Sequence, residues 1–161
     1  LSTSTSSLHL YIAYDANRAE ESGKAHQKVK KLFEAKNADV LAAMSEFADI
    51  AQQGRDLLVE GGDRTAERFA SLINANFDLR DKIFHVAEEN KRMVMTARKS
   101  GASAKFAGSG GAIVGTYEDE AQFERLQFDL AAIGTVTFKP TIATQADESA
   151  EFATVGAWRN S

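Results

Sequence analysis

The sequence predicts an α+β domain: an antiparallel sheet of about four strands with helices packed on one face. Three observations predict it. Short runs rich in β-branched and aromatic residues stand near both ends of the chain and on either side of one glycine cluster. The long middle instead repeats apolar residues at i, i+3 and i+4, the spacing of a helix face. Strands and helices therefore come in mixed order, about four strands to four or five helices, with no internal repeat.

In chain order, Leu8-His9-Leu10-Tyr11-Ile12-Ala13-Tyr14 reads as a strand, and Asp15 to Ser22 as a polar turn. Helical patterning begins near Gly23 or Lys24, with Val29, Leu32 and Phe33 as its buried face. Asn37 or Asp39 can cap a second helix carrying Val40, Leu41, Met44, Phe47 and Ile50, with Gly54 inside it. Gly61-Gly62-Asp63 breaks the pattern, and Asp63 is the expected N-cap of a third helix that runs on toward Ala87. A fourth helix covers Glu89 to Lys99 and stops at Gly101, where glycine commonly ends a helix. Strands are expected at 104–106 and 112–117, on either side of the glycine cluster. Asp119 opens a helix with Phe123, Leu126, Phe128 and Leu130. The last strand, 136–142, contains the only proline, Pro140, which marks an edge strand or its end. The tail 143–161 has no clear pattern.

Composition excludes several classes. A chain of 161 residues, 43% hydrophobic and with ten Phe, can bury a real core and is not disordered. The net charge of −4, from 19 basic and 23 acidic side chains, argues against a nucleic-acid-binding task. The absence of cysteine removes disulfides, thiolate metal sites and cysteine nucleophiles, and is consistent with a cytoplasmic location. No apolar run approaches the ~20 residues that span a bilayer. Leu1 to Ser7 lacks the basic region of a signal peptide. The chain does not begin with Met, so the expectation is a piece of something longer.

The most informative stretch is Gly101 to Gly115. Within it, Ala107-Gly108-Ser109-Gly110-Gly111-Ala112 holds more small residues than a tight turn needs. Glycines can take positive φ and let backbone approach a ligand. Successive N–H groups in such a loop can form an anion-binding concavity. Ser109 adds a hydroxyl, and Lys105 a charge at the mouth. The plain alternative is a glycine-rich β-hairpin turn. The loop is not a Walker A motif, for no Gly-Lys-Ser/Thr follows. Nor is it a dinucleotide fingerprint, because the order is strand–loop–strand.

Gly-Ala-Ser-Ala-Lys-Phe-Ala-Gly-Ser-Gly-Gly-Ala resembles the third motif of the GHMP kinases, whose usual form is Lys, one residue, Thr, then Gly-Ala/Ser-Gly-Gly. Lys105, Gly108, Ser109, Gly110 and Gly111 match, and Ala107 stands where the family has Thr. Two further stretches, Leu10–Tyr14 leading to Ser22-Gly23-Lys24-Ala25-His26, and Asn74-Ala75-Asn76-Phe77-Asp78-Leu79-Arg80, resemble the glucuronokinase branch. The resemblance implies a ferredoxin-like C-terminal kinase domain over 1–142. It also implies an ATP-binding N-terminal domain absent from this chain, with the Gly-Leu-Gly-Ser-Ser loop, the catalytic base and most ligands for ATP and Mg2+. No catalytic residue is then expected here, and this chain alone is expected to be inactive. The implied reaction moves the γ-phosphoryl of ATP to a sugar hydroxyl, the anomeric one of glucuronate. The alternatives are another sugar (heptose phosphate, arabinose or galactose) or a non-catalytic binding or dimerisation module. Expected partners are the sugar and the N-terminal kinase domain, with a homodimer left open and neither nucleic acid nor membrane.

Two other constellations accompany the loop. On the third helix, Asn76 and Arg80 lie within the stripe of Phe69, Leu72, Ile73, Phe77, Ile83 and Phe84 at 100° per residue. They are four apart, hence neighbours. Either Arg80 pairs with an acid of another element, or it forms a substrate wall, gripping a carboxylate while Asn76 binds a sugar hydroxyl. Asn74 and Asp78 point to the other face and rank lower. Ser22, Gly23, Lys24 and His26 stand at a helix start, which suits either an ordinary helix entrance or a hydroxyl-rich or anionic ligand. His9, His26 and His85 are too scattered for a metal site, and Lys28-Val29-Lys30-Lys31 reads as a solvated face.

Overall fold

Alternation along the first strand decides the architecture. In β1 (His9–Asp15), Tyr11 and Ala13 are fully buried while Ile12 and Tyr14 turn to the opposite face. The computed structural model describes residues 8–15 and 23–142, and the tail 143–161 lies outside it. After β1 come four helices, α1 (Gly23–Glu34), α2 (Ala38–Glu60), α3 (Thr65–Phe84) and α4 (Glu88–Lys99). The hairpin β2 (Lys105–Phe106) and β3 (Ala112–Tyr117) follows, then α5 (Glu120–Ala131) and β4 (Thr135–Phe138). The strands pair antiparallel in the order β2-β3-β1-β4, so β1 and β3 are central. Tyr11 sits opposite Gly115, and Ala13 lies between Ile113 and Thr137.

This is the expected α+β sheet-and-helix domain, with four antiparallel strands and five helices among the described residues. Its core joins Tyr11, Phe77, Val94, Phe106, Ile113 and Leu126 between the sheet and α3, α4 and α5. The other sheet face keeps Tyr14, Val136 and Phe138 exposed. Gly115 is dictated by packing: a Cβ there would lie 1.7 Å from the Ser103 carbonyl oxygen and 2.8 Å from the Tyr11 ring. The Tyr11 hydroxyl donates to that same carbonyl at 2.8 Å. Burial pushes the Tyr11 pKa far up, so it remains a donor.

Local signals set most boundaries. Asn37 caps α2 by accepting from the Val40 amide, and Asp119 caps α5 by accepting from the Gln122 amide at 2.8 Å. β4 is an edge strand that stops before Pro140, as a missing N–H requires. Two expectations for α3 are corrected. Asp63 does not cap it: Gly61 and Gly62 turn the chain with φ of 63° and 107°, and Arg64 in the left-handed region precedes the helix. The Thr65 hydroxyl donates back to the Gly62 carbonyl at 2.8 Å instead. The helix also ends at Phe84 and not near Ala87. His85 takes φ of 51°, and the Asp81 carboxylate accepts from the Val86 amide. Among the described residues, no helix is long and apolar enough to cross a membrane.

Candidate functional site

The glycine loop, residues 107–111, joins β2 to β3 and is closed at its base by a single backbone bond, Ala107 N–H to Ala112 O, at 2.9 Å. The Gly111 carbonyl accepts from the Asp15 amide at 3.0 Å, which ties the loop to β1. Among the described residues, no backbone carbonyl accepts from the amides of Gly108, Ser109, Gly110 or Gly111. Gly111 has φ of 69°, a conformation glycine adopts freely. A Cβ on Gly108 would meet nothing within 4 Å, so backbone is accessible there from outside.

Helix α3 brings Arg80 to this loop. Its guanidinium carbon lies 5.2 Å from the Phe84 ring centre and 5.3 Å from that of Phe106. Its Nη2 donates to the Ser109 carbonyl at 3.2 Å. The aromatic faces offset part of the desolvation of a half-buried cation. Phe106 is fixed in turn by edge-on packing against Phe77 at 5.2 Å.

Lys105 precedes Phe106 and turns the other way. It is half-buried, its ammonium donates to the Phe106 carbonyl at 3.2 Å, and its pKa is lowered, first by burial and then by the charge of Arg80. With Asn76 it lines a cleft of about 390 Å³ between α2 and α3, whose walls are Ile50, Leu58, Phe69 and Ile73. Gly54 is buried on α2 beside this cleft, and a Cβ on it would make an ordinary contact with the Phe69 ring at 3.6 Å. A second cleft of about 450 Å³, lined by His9, Arg64, Ser71 and Gln122, holds none of the expected site residues.

The opposite face of α3 is a brace. The Asn74 side-chain oxygen accepts from the Ala104 amide at 3.0 Å. Arg98 of α4 donates to the Asp78 carboxylate at 2.7 Å, to the Asn74 carbonyl at 2.9 Å and to the Ala104 carbonyl at 3.4 Å. Its guanidinium also lies 5.3 Å from the Phe77 ring centre. The residue just before β2 is thus held at both its N–H and its C=O by side chains. Arg98 was not singled out in the sequence, although it follows Val94 and Ala97 on the buried face of α4, where a cation is unexpected.

Lys105, Gly108, Ser109, Gly110, Gly111, Asn76 and Arg80 therefore share one region, where the glycine loop meets α3. Arg80 touches the loop itself, and Asn76 shares the neighbouring cleft with Lys105. Ser22 lies outside the described residues. Gly23, Lys24 and His26 fall in the first turn of α1, and the side chains of Lys24 and His26 lie outside what is described. Among the described residues, no group of three or more His, Cys, Asp or Glu could hold a metal ion.

No protein-family profile matches the chain. Over 108 residues, 65% of its length, it is 37% identical to probable glucuronokinase 2 of Arabidopsis thaliana. Over an equally long stretch it is 33% identical to glucuronokinase 1 of the same plant. The matched region spans only 28% and 29% of those relatives. Among solved structures, it resembles the mevalonate kinase of L. major in complex with R-mevalonate, with a TM-score of 0.68 and 22% identity over 85% of this chain and 44% of that one. It also resembles the Methanococcus jannaschii mevalonate kinase, with a TM-score of 0.64 and 18% identity over 87% of this chain and 41% of that one. The Lactococcus lactis galactokinase complexed with galactose gives a TM-score of 0.62 and 14% identity, over 85% of this chain and 46% of that one. At these identities the solved structures share the fold.

Proposed function

We propose that the chain is a GHMP-type, glucuronokinase-like domain, the C-terminal part of an ATP-dependent kinase phosphorylating a sugar acid, a reading supported by the likeness to the two plant glucuronokinases. The observation that carries this reading is the glycine loop: among the described residues no backbone carbonyl accepts from its four consecutive amides, Arg80 donates to it, and Lys105 stands just before it. Such a loop suits the phosphate oxygens of a nucleotide.

In the proposed reaction the bond from the γ-phosphorus to the β–γ bridging oxygen breaks. A new bond forms to the anomeric oxygen of the sugar, and the hydroxyl proton leaves to a base on the N-terminal domain. Catalysis of this type is largely positioning and charge stabilisation. The amides of Gly108, Ser109, Gly110 and Gly111 would donate to phosphate oxygens. Lys105 would add positive charge, and a bound anion would hold it protonated. Asn76 would take a sugar hydroxyl, and the charge of Arg80 would draw the carboxylate toward the same wall. Ser22, Gly23, Lys24 and His26 would complete the sugar side. Mg2+, when bound, supplies charge neutralisation at the phosphates. Its ligands are assigned to the N-terminal domain.

Glucuronate is favoured as acceptor by the likeness to glucuronokinases and by the two cations near Asn76. The test is ADP release by the whole protein with glucuronate, galactose, arabinose and a heptose phosphate. Preference for glucuronate is the expected result. Preference for a neutral sugar overturns the sugar-acid reading, and no turnover with any of them favours a non-catalytic module. This chain alone is expected to give no turnover.

A further inference from the structure

The loop alone does not determine which way its central peptide faces. Gly110 and Gly111 carry no side chains, both have positive φ, and the loop's own backbone bond lies at its base. Rotating the Ser109–Gly110 peptide therefore meets little steric resistance. What selects its orientation comes from outside. The Ser109 carbonyl accepts from Arg80 Nη2 at 3.2 Å. The described peptides are all trans, so the Ser109 C=O and the Gly110 N–H point to opposite sides of one plane. With the carbonyl turned onto α3, the Gly110 N–H must point away from it.

We propose that Arg80 is a positioning residue that sets the glycine loop: by pinning the Ser109 carbonyl to α3, it holds the Gly110 amide outward as a donor. This rests on the reading of the loop as a phosphate cradle and deepens it. The role differs from a general attraction for anions. It needs a planar donor held in place, and the rings of Phe84 and Phe106 hold it, 5.2 Å and 5.3 Å from the guanidinium carbon. A lysine would keep the charge without that fork. The brace at Asn74 and Arg98 fixes Ala104, from which β2 carries Phe106 into place, so the latch has a rigid base.

The test uses the whole protein, with its N-terminal domain, in solution by NMR. In the free protein, the Gly110 N–H residual dipolar coupling reports the orientation of the peptide plane. A single well-defined coupling is expected for the wild type, and an averaged one for Arg80→Lys and Arg80→Met. Phe84→Leu, a milder change, is expected to fall between them. Unchanged core signals from Tyr11 and Leu126 confirm that each variant is folded. Titration with ADP then follows the amide signals of residues 108–111, with binding about tenfold weaker in Arg80→Lys than in the wild type. An unchanged Gly110 coupling in folded Arg80→Met overturns the latch. Equal ADP affinity in wild type and Arg80→Lys overturns its role in binding. If the coupling averages in the variants while the wild type shows no shift with ADP, the latch stands and the phosphate reading fails.

Discussion

The two faces of α3 use similar residues for opposite ends. On one face, Asn74 and Asp78 meet Arg98, and their oxygens and the Ala104 amide are drawn into one hydrogen-bonded network around Ala104. On the other, Asn76 faces a cleft and Arg80 a loop whose amides, among the described residues, donate to no backbone carbonyl. Each face carries a carboxamide and a charged side chain four residues further on. What separates them is the partner that packing supplies. On the first face the Arg98 guanidinium and the backbone just before β2 lie within hydrogen-bond reach of Asn74 and Asp78. The second borders the hairpin loop, where exposed amides keep contact with water. One short stretch of helix can thus serve as scaffold on one side and as a candidate site on the other.

Substitutions on the brace side should damage the fold, and those on the loop side should damage binding. The largest effect is expected at Gly115, which backs the brace through Ser103. Gly115→Ala forces a Cβ into the Ser103 carbonyl and should cost about 3 kcal/mol or more. A chemical denaturation midpoint close to wild type would show that the sheet relaxes around it. Arg98→Met removes the guanidinium that donates to the Asp78 carboxylate and to the Asn74 and Ala104 carbonyls, with an expected loss of about 2–3 kcal/mol. Calorimetry should record this as a melting temperature lower by roughly 4–12 °C. ADP binding well below that temperature should change little.

On the loop side, Asn76→Ala should leave stability within about 0.5 kcal/mol while raising the sugar KM of the whole protein. A stability loss with unchanged KM would move Asn76 into the scaffold. The smallest effect concerns Lys105. Its lowered pKa means that the folded state disfavours the charged form, so its contribution to stability improves as pH rises from the folded pKa to the unfolded one. Lys105→Met should therefore raise the melting temperature slightly at neutral pH. That gain should fade as the pH climbs through the range just below the usual lysine pKa. The same substitution should weaken ADP binding at neutral pH, so stability and affinity move in opposite directions at this one residue.

Much of the fold was legible because its signals are local. The run Leu8 to Tyr14 is rich in β-branched and aromatic residues as strands are, Asn37 and Asp119 stand where a cap belongs, and Pro140 follows the end of the last strand. The α3 start was misread because paired glycines can place a reversal in several registers, and only the packed chain selects one. In the site, the glycine loop and the shared face of Asn76 and Arg80 followed from spacing. The Ser109 carbonyl as a partner of Arg80 did not, because the two residues are 29 apart and nothing local relates them. Arg98 was missed for the same reason, standing 20 residues from Asp78.

The sequence by itself determined the element types, their order, the antiparallel hairpin at the glycine cluster and which α3 residues share a face. These depend on backbone preference and periodicity, which act over a few residues. The tertiary structure alone decided that Asn74 and Asp78 are scaffold, that Arg80 is clasped between two rings, and which way the loop's carbonyl turns. Those outcomes depend on which distant groups packing brings within hydrogen-bond reach, where a few ångströms separate a satisfied polar group from a costly one.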